Sequence, residues 1–238
     1  MTVSGYLVIA GAVLLASCLQ ASVGFGMGML AAPVVALIDP GLVPGTLIIQ
    51  AAMLTLLVTM VEREHVDLRG TGWALVGRVP GTAIGAVLVA ALPPRVLGLL
   101  LAGVVLFGAA SASLGWAPRP HRPNLVLAGS ASGLLGTATS IGGPPMALVW
   151  QGKEARALRG TMSGFFLVGS VLSVASLALA GAIGTHTLLM SAALAPVLPL
   201  GYALSRFVNR FLDARRLRLA AIGISVLGAV LLIGAQLL

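Results

Sequence analysis

The sequence predicts an all-α, polytopic membrane protein, and three observations carry that prediction. Of 238 residues, 58% are hydrophobic and only 8% charged, whereas soluble domains carry roughly 25% charged residues. The apolar residues run in stretches long enough to match the 20 or so that a bilayer-crossing helix needs. The gaps between them are short, rich in Arg, Pro and Gly, and leave no room for a soluble domain or a long linker.

The apolar runs occupy residues 6–38, 42–61, 71–92, 96–115, 124–150, 160–183, 186–207 and 217–238, which predicts about eight transmembrane segments. Residues 1–5 lack the positive flank of a signal peptide, so the first run counts as a span. The first and fifth runs are too long for one simple helix. Each contains residues that break helices: Ser22-Val23-Gly24-Phe25-Gly26-Met27-Gly28 before Pro33, and Thr137-Ala138-Thr139-Ser140-Ile141-Gly142-Gly143-Pro144-Pro145. In a helix interior Gly costs about 1 kcal/mol and Pro about 3 kcal/mol. Proline also removes a backbone donor.

A weak internal repeat orders the segments. Gly45-Thr46 recurs as Gly160-Thr161, Pro80 with Gly85 as Pro196 with Gly201, and Leu97, Gly103 and Gly108 as Leu217, Gly223 and Gly228. This divides the chain into four-segment halves, residues 1–118 and 119–238, each opening with a broken first helix. Four spans per half is an even number, so both halves are expected to share one orientation, related by an axis along the membrane normal.

The net charge of +8 does not indicate nucleic-acid binding, because the cations are spread over short gaps instead of forming a stripe. They report orientation instead. Lys153, Arg156 and Arg159, the cluster at 206–218, and Arg95 fall on one side by segment counting, expected to be cytoplasmic. Arg63, Arg69, Arg119 and Arg122 fall on the other with Glu62, Glu64 and Asp67, and both termini are expected in the periplasm of a bacterial inner-membrane protein.

Broken backbone at membrane depth is tolerated only where protein or a water-filled cavity satisfies the freed groups. Paired interruptions in two halves are therefore a pointer to a binding site. The amides at half-helix N-termini carry partial positive charge, which suits an anion. These residues, together with Arg78-Val79-Pro80-Gly81-Thr82 and Ser140-Ile141-Gly142-Gly143-Pro144-Pro145, resemble the sulfite exporter TauE/SafE family, the TSUP permeases, over nearly the whole chain. The resemblance implies a permease for sulfite, organosulfonates or similar small anions. The first half departs from adjacent glycines, having Phe25 and Met27 between Gly24, Gly26 and Gly28.

The expected substrate-binding residues are Ser22, Gly24, Gly26, Gly28, Thr139, Ser140, Gly142, Gly143 and Pro144 at the breaks, with Arg78 inside the third segment. A guanidinium there either binds an oxyanion bidentately or snorkels to the interface; its counterpart in the second half is Leu194. No Asp or Glu falls within a segment, so a carboxylate proton relay is not expected. His65, His121 and His186 sit in gaps with no metal-site spacing, and Cys18 is the lone cysteine, so no metal or other cofactor is expected. Trp73, Trp116 and Trp150 are expected as interfacial anchors, Met27 and Met29 as packing. Gln20, Gln50 and Gln151 are each within reach of a polar cavity. No nucleophile with a base is visible inside the bilayer, which argues against an enzyme. A non-transporting scaffold and an uptake permease for another organic anion are the competing readings.

Overall fold

The computed structural model describes residues 2–113, 118–211 and 214–237, and their regular structure is helical. Eleven α-helices follow in order: α1 Val3–Val23, α2 Met27–Ile38, α3 Gly45–Glu62, α4 Leu68–Ala91, α5 Pro94–Ser113, α6 Arg122–Thr139, α7 Gly143–Trp150, α8 Ala155–Leu179, α9 Thr185–Leu194, α10 Val197–Phe211 and α11 Ala214–Leu237. Among the described residues five helices are long and apolar enough to cross a membrane. A sixth span appears if α9 and α10, bent by 41° at their junction, count as one. Trp116 and Asp213 lie outside the described residues.

Both over-long runs are broken where the sequence places the break. α1 stops at Val23 because Gly24, at φ +94°, donates its N–H to Gln20 O, and α2 restarts after Gly26 at φ +114°. α6 stops at Ser140, a non-glycine residue at φ +67°, and α7 restarts at Gly143. The shorter partners α2 and α7 have 12 and 8 residues, about 18 Å and 12 Å of helix. Neither crosses a bilayer of about 30 Å by itself.

Side-chain contacts fix which connections share an end of the bundle, and they correct the topology expected from counting. Lys153 Nζ lies 2.9 Å from Asp67 Oδ2 and Arg159 Nη2 lies 3.1 Å from Glu62 Oε1. The guanidinium of Arg122 sits 4.9 Å above the Trp73 ring. The α3–α4 connection, the start of α6 and the α7–α8 connection therefore gather at one end. The α6–α7 pair leaves that end and returns to it.

At the opposite end His186 Nε2 is 2.8 Å from Asp39 Oδ2, and Tyr6 donates its hydroxyl to Ala193 O in α9. The α1–α2 pair thus begins and ends there. Each broken run therefore begins and ends at one end of the bundle, and by length and composition the candidate spans are α1, α3, α4, α5, α8 and α9 with α10. The gap with Glu62 and Asp67, assigned by counting to the side opposite Lys153, is in ion-pair contact with it.

Glycines set the tightest seam. Gly77, Gly81 and Gly85 of α4 face Val126, Ser130 and Leu134 of α6, while Gly129 and Gly133 of α6 face Ala74 and Arg78 of α4. A Cβ at Gly77, Gly81 or Gly129 would overlap the facing backbone carbonyl. Small residues at a four-residue spacing let helix backbones approach this closely in membranes. Two further contacts are alike: Gly108 of α5 packs on Pro144 of α7, and Gly228 of α11 packs on Pro33 of α2.

Candidate anion site

The two breaks meet. A Cβ on Gly28 would overlap the carbonyl of Ser140, and one on Gly143 would lie 2.8 Å from the Phe25 ring. Where they meet, a cavity of about 40 Å³ is enclosed by α1, α2, α3, α4, the α6–α7 break and α8. A single water needs about 10–15 Å³, so the space suits a few waters or one small ion.

Six of the ten expected residues line this cavity: Gly26, Gly28, Arg78, Ser140, Gly142 and Gly143. Ser22 and Thr139 are buried but do not line it, and Thr139 instead serves the end of α6, donating to Leu135 O at 2.6 Å and accepting from Ile141 N at 3.3 Å. Gly24 packs against Arg159 and Met162 of α8. Pro144 lines a neighbouring apolar cavity with Leu19, Met29 and Ala147.

Arg78 is 2% exposed, which rules out snorkelling to the interface. Its Nη1 donates to Ser132 Oγ at 3.0 Å, and Ser132 Oγ donates to Gly142 O at 2.6 Å, so the guanidinium is tied to the residue just before α7. The Phe165 and Phe166 rings lie 4.8 Å and 5.5 Å from its carbon, attracting the cation through their faces. Gly169 of α8 provides the room, since a Cβ there would overlap the guanidinium. Arg78 Nε has no partner, and among the described residues no carboxylate pairs with Arg78. An uncompensated buried cation costs several kcal/mol.

The backbone donors differ between the breaks. At the first, Gln20 Oε1 already accepts from Met27 N at 3.1 Å, so that amide is occupied. At the second, no side chain caps α7. Pro144 and Pro145 have no N–H, which leaves Gly142 and Gly143 as the donors of the break. Ser140 Oγ donates to Pro44 O at 3.1 Å.

Sequence reasoning missed Ser132, Gly136, Phe165, Phe166, Gly169, Ser170 and Ser173. The Gly129-x3-Gly133 spacing marks α6 as a close-packing helix and was the available signal for Ser132. For α8 the sequence carries no comparable cue. Trp150 also differs from expectation: it is 1% exposed and stacks edge-on against Phe165 at 5.7 Å, a core residue and not an anchor. Gln50 is buried and bonds Ser191 O, away from the cavity.

Outside the helices, burial raises the Asp67 carboxyl pKa, but the Gly70 N–H and the Lys153 ammonium outweigh it and hold the group below the usual aspartate range.

The helices and this buried cationic cavity define a multi-pass helical membrane protein. The chain belongs to the sulfite exporter TauE/SafE family, whose model matches residues 9–232. It is also 30% identical over 141 residues to the probable sulfite/organosulfonate exporter TauE of Cupriavidus necator, a match covering 53% of this chain and 53% of that protein. The chain thus matches about half the length of that relative. No solved structure matches.

Proposed function

We propose that the protein carries a small anion, such as sulfite or an organosulfonate, across the bacterial inner membrane, acting as an exporter or facilitator. The observation that carries this reading is Arg78: a buried guanidinium without a carboxylate partner, lining a cavity where two helix breaks meet. The anion sits between the breaks, held by the Arg78 charge and by the Gly142 and Gly143 amides, with hydroxyls of Ser140, Ser170 and Ser173 around it. Arg78 alone supplies the full charge, because its partner in the repeat is Leu194.

The repeat deepens this reading. Residues 1–118 and 119–238 form two inverted repeats, each a hairpin plus three crossings, related by an axis in the membrane plane, an arrangement that puts the substrate between the halves. The reciprocal contacts of Gly108 with Pro144 and Gly228 with Pro33 support it. Arg63, Arg69, Arg119, Arg122, Lys153, Arg156 and Arg159 fall in or beside the connections that gather at the Asp67 end. That end faces the cytoplasm by the positive-inside rule, and both termini face the periplasm.

No acidic residue lines the cavity among the described residues, so the anion moves without a carboxylate proton relay. A membrane potential negative inside drives a monoanion outward with about 2.3 kcal/mol per 100 mV, which favours export over uptake. The test is flux in liposomes across a panel of small anions, with and without a pH gradient. Flux that follows the potential and ignores the pH gradient supports the proposal. Uphill movement driven by the pH gradient alone overturns the facilitator mechanism, and absence of anion flux favours a scaffold.

A further inference from the structure

A second cationic cleft lies far from the anion cavity, between the starts of α4 and α6. It encloses about 310 Å³ and is lined by Asp67, Arg69, Trp73, Pro120, His121 and Arg122, among others. Asp67 is already engaged by Lys153 and by the Gly70 N–H. Among the described residues Arg69 and Arg122 have no carboxylate partner. Arg122 lies over Trp73, whose indole forms one wall. The cleft therefore presents two unpaired guanidinium groups at the end of the bundle where the charged connections gather.

Its surroundings identify the ligand. Beside and below the cleft the outer faces of α4 and α6 are apolar and open: Leu68 is 79% exposed, Val76 59%, Val79 54% and Leu127 67%. A soluble anion would use only the guanidinium groups, in a wet setting where salt screens them. A phospholipid uses both features, its phosphate meeting the arginines and its acyl chains covering the valines and leucines. Basic pockets between membrane helices hold lipid headgroups in this way. Two arginines that donate bidentately to phosphate oxygens select an anionic headgroup over one that carries its own ammonium.

We propose that this cleft is a binding site for the phosphate headgroup of an anionic phospholipid. The site is separate from the transport cavity, and its occupancy clamps the α4–α6 seam from the membrane surface. The proposal does not depend on which solute the protein moves.

The test uses the full-length protein in detergent, with its thermal unfolding midpoint followed as lipid is added. Phosphatidylglycerol is expected to raise the midpoint more than an equal mole fraction of phosphatidylcholine, and inorganic phosphate at matched ionic strength is expected to leave it unchanged. The double variant Arg69→Gln/Arg122→Gln should lose at least half of the phosphatidylglycerol shift. Arg63→Gln/Arg156→Gln, which removes two cations at the same end but outside the cleft, should keep it. Equal shifts with both lipids, an equal shift with inorganic phosphate, or equal losses in the two double variants would overturn the proposal.

Discussion

At the scale of single residues, Arg78 holds a charge that the described fold leaves without a counter-ion, and this separates its contribution to stability from its contribution to function. Removing an unpaired buried charge relieves a desolvation penalty, so Arg78→Gln is expected to unfold at the same temperature as the wild type or higher. Its anion affinity should fall 10- to 100-fold, about 1.4 to 2.8 kcal/mol, in line with the loss of a charge-assisted hydrogen bond. Calorimetry on the purified variants with and without sulfite reads both. Asp67 gives the pH counterpart. Its pKa in the folded protein lies below the aspartate range, so its contribution is complete above the unfolded pKa of about 3.9 and disappears as pH falls through the lower folded value. The stability difference between wild type and Asp67→Asn should be present at neutral pH and vanish in acid. Arg78 was legible in the sequence because an ionisable residue inside an apolar run stands out. Gly136 and Gly169 were not, since small residues are common throughout this chain and only the folded arrangement shows which ones make room for the guanidinium.

At the scale of helices, the α4–α6 seam and the breaks set the geometry of the cavity. Gly81→Leu would force a side chain into the Ser130 carbonyl of α6; overpacking of this kind costs about 1–3 kcal/mol or more. The variant is expected to lose thermal stability and, with it, the Arg78–Ser132 contact that spans the seam. Gly72→Ala, about two and a half turns away on α4 with open space at its Cβ, is expected to be neutral or slightly stabilising because Ala suits a helix by about 1 kcal/mol. Thermal unfolding of the pair in detergent distinguishes seam packing from a general intolerance of larger side chains. The breaks themselves were readable from Gly and Pro, since these residues act on local backbone. Whether a broken run crosses or returns was not readable. That depends on tertiary contacts, Lys153 with Asp67 and His186 with Asp39, between residues 86 and 147 positions apart.

At the scale of the molecule, the proposed inverted repeat, with two hairpins entering from opposite ends, is tested directly by labelling. Single cysteines at Arg119, Gly152 and Gly184, with Cys18 replaced, should divide so that Gly184→Cys reacts with an impermeant thiol reagent in intact cells while Arg119→Cys and Gly152→Cys do not. Eight simple crossings would instead put Arg119 and Gly152 on opposite sides. Charge counting failed in detail because one miscounted crossing reverses every later connection, yet the gathering of cations at one end emerges once the hairpins are placed. The central claim is that the cavity at the meeting of the two breaks holds the transported anion through Arg78. Its most direct test is potential-driven sulfite flux into or out of liposomes containing wild type, Arg78→Lys or Arg78→Gln at matched folded content. The account predicts flux for the wild type, partial flux for Arg78→Lys and loss of at least tenfold for Arg78→Gln; a folded Arg78→Gln protein with wild-type flux would contradict it.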